Sequence, residues 1–257
     1  MRHALRILLP GIVLLVFSAG PAQAGSDRLK LNLAAWPASL SGVEQINGNL
    51  VGTSIDLEET LGVQDEIFPE VHLSLKLLGP MRLIASYYTT EYDGKETLTQ
   101  SITFNDTTFS ASEEVRSNLD LSVARVLLSF HPVNFKRVNL GLMIGADLMK
   151  VDSTLSSSLT GTRQKDFTAP VPVVGANLTL QPIDKLAIYA EVSGLSIDVG
   201  DVEASILDAI FRVEYYFMPW FAVTGGYRLF DFDITESDFG RVNFKQDGFQ
   251  MGLAFRL

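Results

Sequence analysis

Few side chains here could do acid–base, nucleophilic or metal chemistry, and they are loosely spaced. There is no cysteine in the 257 residues, which removes a disulfide framework, a thiolate metal site, a cysteine nucleophile and a lipid-acylated cysteine. The histidines are His3, His72 and His131. His72 stands two residues from Glu70 and two from Ser74. In an extended chain such residues share a face, so His72–Ser74 is a base–nucleophile spacing, though one that arises often by chance. Hydrolysis needs a base that reaches both its nucleophile and the substrate. His131 lies beside Pro132 in a turn-like stretch and supplies no second constellation. The expectation is no catalytic residue, no metal centre and no cofactor, with His72 a partner of Glu70 in a polar interior.

Carboxylates are more plentiful. Asp56, Glu58, Glu59, Asp65 and Glu66 crowd the stretch 44–66 with Glu44, and that stretch has no Lys or Arg. Asp231, Asp233, Glu236 and Asp238 form a second group. Clustered carboxylates suit hard divalent cations, but the spacing fits no calcium-loop template. They read as solvated acidic loops that divalent ions bridge to a phosphate-bearing surface. The net charge of −10 argues against nucleic acid, whose partners are basic. With 47% hydrophobic and 19% charged residues the chain is too apolar to be disordered.

The elements that must hold these residues are strands. In residues 71–77, Val71, Leu73, Leu75 and Leu77 alternate with His72, Ser74 and Lys76, and Glu70 precedes them. That is period two. Leu140, Leu142, Ile144, Ala146 and Leu148 alternate with Gly141, Met143, Gly145 and Asp147. Ala209, Phe211, Val213, Tyr215 and Phe217 alternate with Asp208, Ile210, Arg212, Glu214 and Tyr216. Phe249, Met251, Leu253 and Phe255 alternate with Gln250, Gly252, Ala254 and Arg256. Rougher alternation covers 29–35, 83–89, 124–130, 172–180 and 221–229.

Short connections at 79–80, 131–136, 182–184 and 218–219 alternate with longer, mostly acidic ones at 44–66, 92–117, 152–166, 196–204 and 231–243. This is the pattern of an all-β transmembrane antiparallel β-barrel with short periplasmic turns and longer outer loops. Four inner turns with both termini on the same side predict ten strands, or eight if 29–35 folds differently. Trp36 and Tyr87–Tyr88 at one level, and Tyr215, Phe217, Trp220 and Phe221 at the other, are expected to form interfacial girdles. Asn105-Asp106 between alternating runs predicts a hairpin turn. Phe104 and Phe109 beside it suit either a partner or neighbouring loops.

The N-terminus supports export. Arg2 and Arg6 precede an apolar run from Ile7 to Phe17, and Ala22-Gln23-Ala24 is a small-residue cleavage site. The expectation is a signal peptide over 1–24 and a barrel over 25–257. Without Arg2 and Arg6 the remainder has 18 basic and 30 acidic residues, net −12. No later apolar run is long enough for a helix to cross the ~30 Å core.

With the apolar face towards lipid, the lumen receives Lys30, Glu70, His72, Lys76, Arg82, Arg125, Asp147, Glu191, Asp208, Arg212, Glu214, Arg228 and Arg256. A ten-stranded barrel is little wider than an eight-stranded one, whose side chains can fill it. Unpaired charge in a narrow lumen is costly. These residues are expected to pair and block most of the bore. Asp208, Arg212, Glu214, Glu191 and Arg228 are expected to form one network. If the lumen conducts, seven basic residues against five acidic ones in that set favour anions.

The last stretch, Asp247-Gly248-Phe249-Gln250-Met251-Gly252-Leu253-Ala254-Phe255-Arg256-Leu257, resembles the terminal strand of Gram-negative outer-membrane proteins. In that family it is read by the barrel-insertion machinery and usually ends in an aromatic residue. Here Phe255 stands two before the final Leu257. Gly225-Gly226-Tyr227-Arg228 is similar to the penultimate strand of small OmpA- and OmpW-like barrels. Ile55-Asp56-Leu57-Glu58-Glu59-Thr60-Leu61-Gly62 resembles an acidic first-loop motif of such barrels. The resemblance implies an outer-membrane location, with lipid and lipopolysaccharide as surroundings and divalent cations at the acidic loops. It transfers no catalytic residue. A ten-stranded barrel also resembles the omptin proteases, whose chemistry needs a histidine and acids at the outer rim, where neither His72 nor His131 falls. The leading expectation is a non-catalytic, porin-like or largely plugged barrel. The alternatives are a surface-interaction protein using its acidic loops and, last, a barrel enzyme acting on lipid or peptide.

Overall fold

The computed structural model describes residues 28–47, 51–57, 60–61, 66–199, 202–236 and 240–257. The signal-peptide segment, Glu58, Glu59 and Asp65 lie outside the described residues. The elements are β1 (Leu29–Ile46), β2 (Ile55–Asp56), β3 (Glu66–Lys76), β4 (Met81–Thr97), β5 (Ile102–Phe104), β6 (Thr107–Phe109), β7 (Glu114–Asn134), β8 (Val138–Ser157), β9 (Gly161–Ile183), β10 (Leu186–Val199), β11 (Val202–Met218), β12 (Phe221–Glu236) and β13 (Gly240–Arg256). Ten of them, all but β2, β5 and β6, pair antiparallel with their chain neighbours. β13 returns to β1, from Lys30↔Arg256 to Ile46↔Gly240, and closes the cylinder. The ten-strand expectation holds and the eight-strand alternative does not, because residues 29–35 belong to β1.

Connections at one end are short: 77–80, 135–137, 184–185 and 219–220. Gly79 takes φ 60° there, where a Cβ is disfavoured. The opposite end corrects the sequence expectation. Stretches 152–166, 196–204 and 231–243 are not long loops but continuing strand, joined across 158–160, 200–201 and 237–239. The physical reason is an inversion of polarity along each strand. In β12, Val223, Tyr227 and Leu229 face out while Thr224 and Arg228 face in; further along, Asp231 and Asp233 face out while Phe230, Phe232 and Ile234 are buried. In β7, Val126, Leu128 and Phe130 face out near the short-turn end, whereas Leu119, Leu121 and Val123 are buried beyond it. The period of two never stops; only the solvent outside changes.

The outward apolar belt occupies the short-turn half. Leu142, Ile144 (63% exposed), Leu148, Phe249 (73% exposed), Met251 and Leu253 stand on it. On β8 the belt runs from Val138 to Leu148, a length that fits the 9–11 residues a tilted strand needs to cross hydrocarbon. Tyr215 and Phe217 meet edge to face at 5.1 Å, and Trp220 stacks near Phe255 at the short-turn edge. Tyr87 faces out, but Trp36 (0% exposed) and Tyr88 (1% exposed) point into the barrel. They are therefore core residues rather than a girdle, because both have interior parity on their strands.

Beyond the belt, the interior becomes an apolar core. Leu40, Tyr92, Leu119, Val151, Leu155, Phe230, Phe232 and Phe244 are buried in one cluster with Ile102, Phe104 and Phe109 of the β5–β6 hairpin. Asn105 and Asp106 take φ 44° and 62°, as an Asn-Asp hairpin turn permits. Phe104 and Phe109 pack inward over the barrel's end rather than offering a free tip.

Candidate functional site

The barrel interior is layered. Strand alternation aims every second residue inward, and antiparallel register brings those residues to common depths. At mid-depth, Arg125 of β7 lies directly across from Asp147 of β8. Its Nε donates to Asp147 Oδ1 at 2.7 Å and its Nη2 to Oδ2 at 2.6 Å, a bidentate fork. Its Nη1 also lies 2.7 Å from Asp208 Oδ2 and 3.4 Å from Glu191 Oε1. Arg228 clasps Asp208 from the other side, with Nε donating at 3.0 Å and Nη2 at 2.7 Å. The Nη1 of Arg228 lies 3.1 Å from Glu70 Oε2, to which Gln250 Nε2 also donates. Tyr189 donates its hydroxyl to Glu191. Two guanidinium groups thus bind four carboxylates, all buried.

A second cluster lies nearer the short-turn end. Lys30 Nζ is 2.7 Å from Glu214 Oε1, and Arg212 Nε reaches the same oxygen at 3.4 Å. Arg212 Nη1 donates to Asn32 Oδ1 at 3.0 Å, and Tyr216 donates to Glu214 at 2.8 Å. Arg212 also stands 4.9 Å from the Tyr189 ring centroid.

The expected single network of Asp208, Arg212, Glu214, Glu191 and Arg228 is therefore two clusters. Glu191, Asp208 and Arg228 join Arg125, Asp147 and Glu70. Arg212 and Glu214 pair with Lys30. The split arises because i and i+2 residues share a face but not a depth, and cross-strand neighbours compete successfully for each charge. Lys76 and Arg82 are cross-strand partners at the short-turn edge. Arg82 donates to Ser74 at 3.5 Å. Arg256 stacks 3.8 Å from the Tyr216 ring centroid and donates to the Pro219 carbonyl. These three cations sit at the mouth, outside both clusters.

His72 corrects another expectation: Glu70 is engaged by Arg228 and Gln250, while His72 packs edge-on against Tyr189. His131 is not in a turn. It lies in β7, faces inward and shares a 3.1 Å hydrogen bond between Nε2 and Ser129 Oγ. Asn177 Nδ2 donates to the same hydroxyl at 3.1 Å. Gly141 makes room for this trio, since a Cβ there would come within 2.5 Å of Ser129 Oγ. A serine–histidine pair could be nucleophilic, but Ser129 is fully buried and the Nδ1 of His131 has no partner. The orienting group that a triad requires is absent among the described residues. The sequence reading missed Ser129, Asn177 and Asn32; their signal was interior parity, with small polar residues where lipid-facing ones would be apolar.

The next layer is aromatic. The Arg228 guanidinium lies 4.9 Å from the Trp36 ring centroid and 4.3 Å from that of Tyr88. Tyr88 meets Phe230, and Phe230 meets Phe244. Gln246 donates to Thr90 at 3.1 Å and to Tyr92 at 2.9 Å. Above the belt, Glu44 is buried and accepts from Ser153 Oγ at 3.0 Å. Burial pushes its carboxyl up to about 7.

The acidic stretch 44–66 is described in part: Asp56 pairs with Val43 through β2, and Glu66 begins β3. A different row of acids emerges on the outer surface, just beyond the belt. Glu91 lies across from Asp120, Asp120 from Asp152, and Asp152 from Asp166. Burial and the neighbouring Glu91 raise the Asp120 carboxyl. Lys150 pairs with Asp152 at 2.6 Å. Among the described residues, no three acids or histidines converge on one metal position.

No protein-family model matches the chain. No curated protein matches it either. Solved structures do. The outer-membrane protease OmpT of Escherichia coli superposes with a TM-score of 0.53 at 10% identity, over 89% of this chain and 96% of that one. The translocator domain of the autotransporter NalP of Neisseria meningitidis gives 0.46 at 13% identity, over 91% and 89%. Ail, the attachment invasion locus protein of Yersinia pestis, gives 0.43 at 12% identity, over 90% and 99%. The likeness to OmpT is one of fold. With the outward apolar belt, it makes this chain a transmembrane ten-stranded barrel of the bacterial outer membrane.

Proposed function

We propose that this protein is a closed, non-catalytic outer-membrane barrel with no continuous aqueous path. The observation that carries the reading is the filling of the bore at mid-depth and beyond it. Arg125 and Arg228 are each locked to several carboxylates, and the Trp36–Tyr88–Phe230 layer lies directly above them. A low-dielectric interior strengthens such pairs and makes them costly to open. The short turns face the periplasm, and the polar-coated extension of the barrel stands above the outer leaflet. Lipid surrounds the belt. Lipopolysaccharide phosphates, bridged by divalent cations, suit the Glu91–Asp120–Asp152–Asp166 row, and the barrel-insertion machinery reads β13.

Planar-bilayer recording tests the closed state: the expected trace has no steady open level, and a steady nanosiemens-scale conductance would overturn it. Orientation is tested by cysteine labelling, since the chain has no native thiol. Ser110→Cys should label in intact cells and Asp184→Cys should not. A surface-interaction role is the second reading, favoured by the barrel wall that continues beyond the belt with acids on its outer face.

A further inference from the structure

The barrel wall parts between β9 and β10 where these strands leave the belt. Their pairing runs from Leu186↔Ile183 to Gly194↔Val174 and stops. Both strands go on. β10 stays paired with β11 as far as Val199↔Val202, and β9 with β8 as far as Gly161↔Ser157. Residues 161–173 of β9 thus have a strand on the β8 side and, among the described residues, none on the other. Carried on in the same register, Val199 would meet Ala169. The β10–β11 turn therefore ends beside Thr168, and the rest of β9 stands higher.

The sequence shows which backbone groups face this seam. Alternate residues of an antiparallel strand turn their N–H and C=O groups to alternate neighbours. Proline has no N–H and is confined to edges, strand starts and bulges. Pro170 and Pro172 stand across from Leu148 and Ala146 with the β8–β9 register unbroken, which puts the even-numbered residues of β9 on the open side. Asn105 agrees, since its Nδ2 donates to the Gln164 carbonyl at 3.1 Å. The two prolines lie level with the top of the apolar belt, where an unpaired donor would face hydrocarbon. Gln164, Asp166 and Thr168 lie above it, are exposed, and keep their N–H groups. Donors are missing where lipid covers the seam and present where water does.

The side chains along the seam are distinctive too. Phe167, Leu195 and Ile197 have interior parity and pack on the core, yet they are only partly buried. Ile206 and Phe232, inward-facing on β11 and β12, are buried. On the outer face, the row of acids ends at Asp166, on the open edge.

We propose that the outer edge of β9, from Thr162 to Thr168, docks an extended polypeptide segment of a partner, which adds to it as a strand. Backbone donors and acceptors repeating at strand spacing are matched by another extended backbone. Phe167 favours apolar residues on the inner face of the added strand. Asp166 favours Lys or Arg on its outer face, as opposite charges across a strand pair do. The inference gives the surface-interaction reading a defined site and rests on the proposed orientation, which puts this edge outside the cell. Its test in detergent depends on neither orientation nor conductance.

The first measurement is residue-resolved amide exchange by NMR on the purified full-length barrel in micelles. The amides of Asp166 and Thr168 should exchange fast, and those of Lys165 and Phe167, which face β8, slowly. The probe is then an acetylated heptapeptide of alternating valine and lysine. It should bind saturably and protect the Asp166 and Thr168 amides. Two twins of the same charge, one N-methylated at the valines and one at the lysines, separate backbone pairing from charge attraction: the twin methylated on the pairing edge should fail. Thr168→Pro removes one donor from the edge, as Pro170 does below it, and should weaken binding about tenfold. Thr168→Val keeps the donor and should bind as wild type does. Slow exchange of Asp166 and Thr168 in the free barrel overturns the proposal. So does the absence of saturable binding, or equal binding of the two twins. Protection that grows with barrel concentration without peptide assigns the edge to a second copy and overturns the polypeptide partner. If Thr168→Pro does not fold, the methylated twins decide.

Discussion

Arg125 shows how much one residue can hold at a barrel's centre. It contacts Asp147, Asp208 and Glu191, so Arg125→Met would strand buried carboxylates rather than merely remove a pair. Breaking a buried pair from one side costs roughly 3–5 kcal/mol, whereas the partly exposed Arg241–Asp233 pair falls in the class worth about 0–1 kcal/mol. Urea unfolding from phospholipid vesicles should show a large loss for Arg125→Met and almost none for Arg241→Met; equal losses would show that the Arg125 contacts do not stabilise the fold. Glu44 gives a pH-dependent counterpart. Its carboxyl sits at about 7 in the barrel against an ordinary 4.5, so the folded state holds the proton more tightly than the unfolded chain does. Its contribution is most favourable below pH 4.5, declines as pH rises to about 7, and is flat above. Glu44→Gln should match wild type at pH 4 and exceed it at pH 8 by up to about 3 kcal/mol. A gap between the two that does not change with pH would refute this.

At the scale of the strand, alternation decides everything about sidedness, and it was legible wherever the outward face is apolar. Val71–Leu73–Leu75 and Phe249–Met251–Leu253 gave their faces from the sequence because lipid demands an unbroken apolar set. The same period failed to announce itself in 231–236 and 152–157, because there the outward residues are Asp, Thr and Ser and the inward ones include Phe232, Ile234 and Leu155 alongside the polar Ser153. Read with one fixed polarity, those stretches resemble acidic loops. Trp36 and Tyr88 were misplaced for a related reason: aromatics suit both an interface and a core, and parity alone separates them. The partners within the charged interior were not legible, since depth depends on cross-strand register that no single strand encodes. Register itself is testable at Leu142, which is exposed on the belt beside buried Met143. Leu142→Arg should cost roughly 2–4 kcal/mol near mid-plane. Met143→Arg would fail by overpacking and unpaired burial instead, and should not be relieved in a thinner bilayer as Leu142→Arg should. Folding yields in vesicles of short- and long-chain lipid distinguish the two, and identical responses would put the register one residue off.

For the whole molecule, the closed reading implies that two layers, one charged and one aromatic, would have to open together for the bore to conduct. On the closed reading proposed above, the charged layer would block by pairing, and the aromatic layer above it by volume and by repelling water. Replacing Arg212 and Arg228 with alanine removes one cation from each cluster and leaves Glu70, Asp208 and Glu214 short of counter-charge. The barrel should lose stability and its lower interior should hydrate. Ions that enter would still meet Trp36, Tyr88, Phe230 and Phe244, with the β5–β6 phenylalanines beyond. Apolar constrictions of this kind exclude ions by dewetting. The double alanine variant is therefore expected to remain non-conducting in planar bilayers. Adding Trp36→Ala and Phe230→Ala should admit water past the aromatic layer and give flickering openings. Trp36→Ala with Phe230→Ala alone should stay closed, because the Arg125–Asp147–Asp208 core still spans the bore. If the arginine pair alone opens a steady conductance, the aromatic layer is not a barrier and the filling is one layer deep. If the aromatic pair alone does so, the charge network is permeable as it stands.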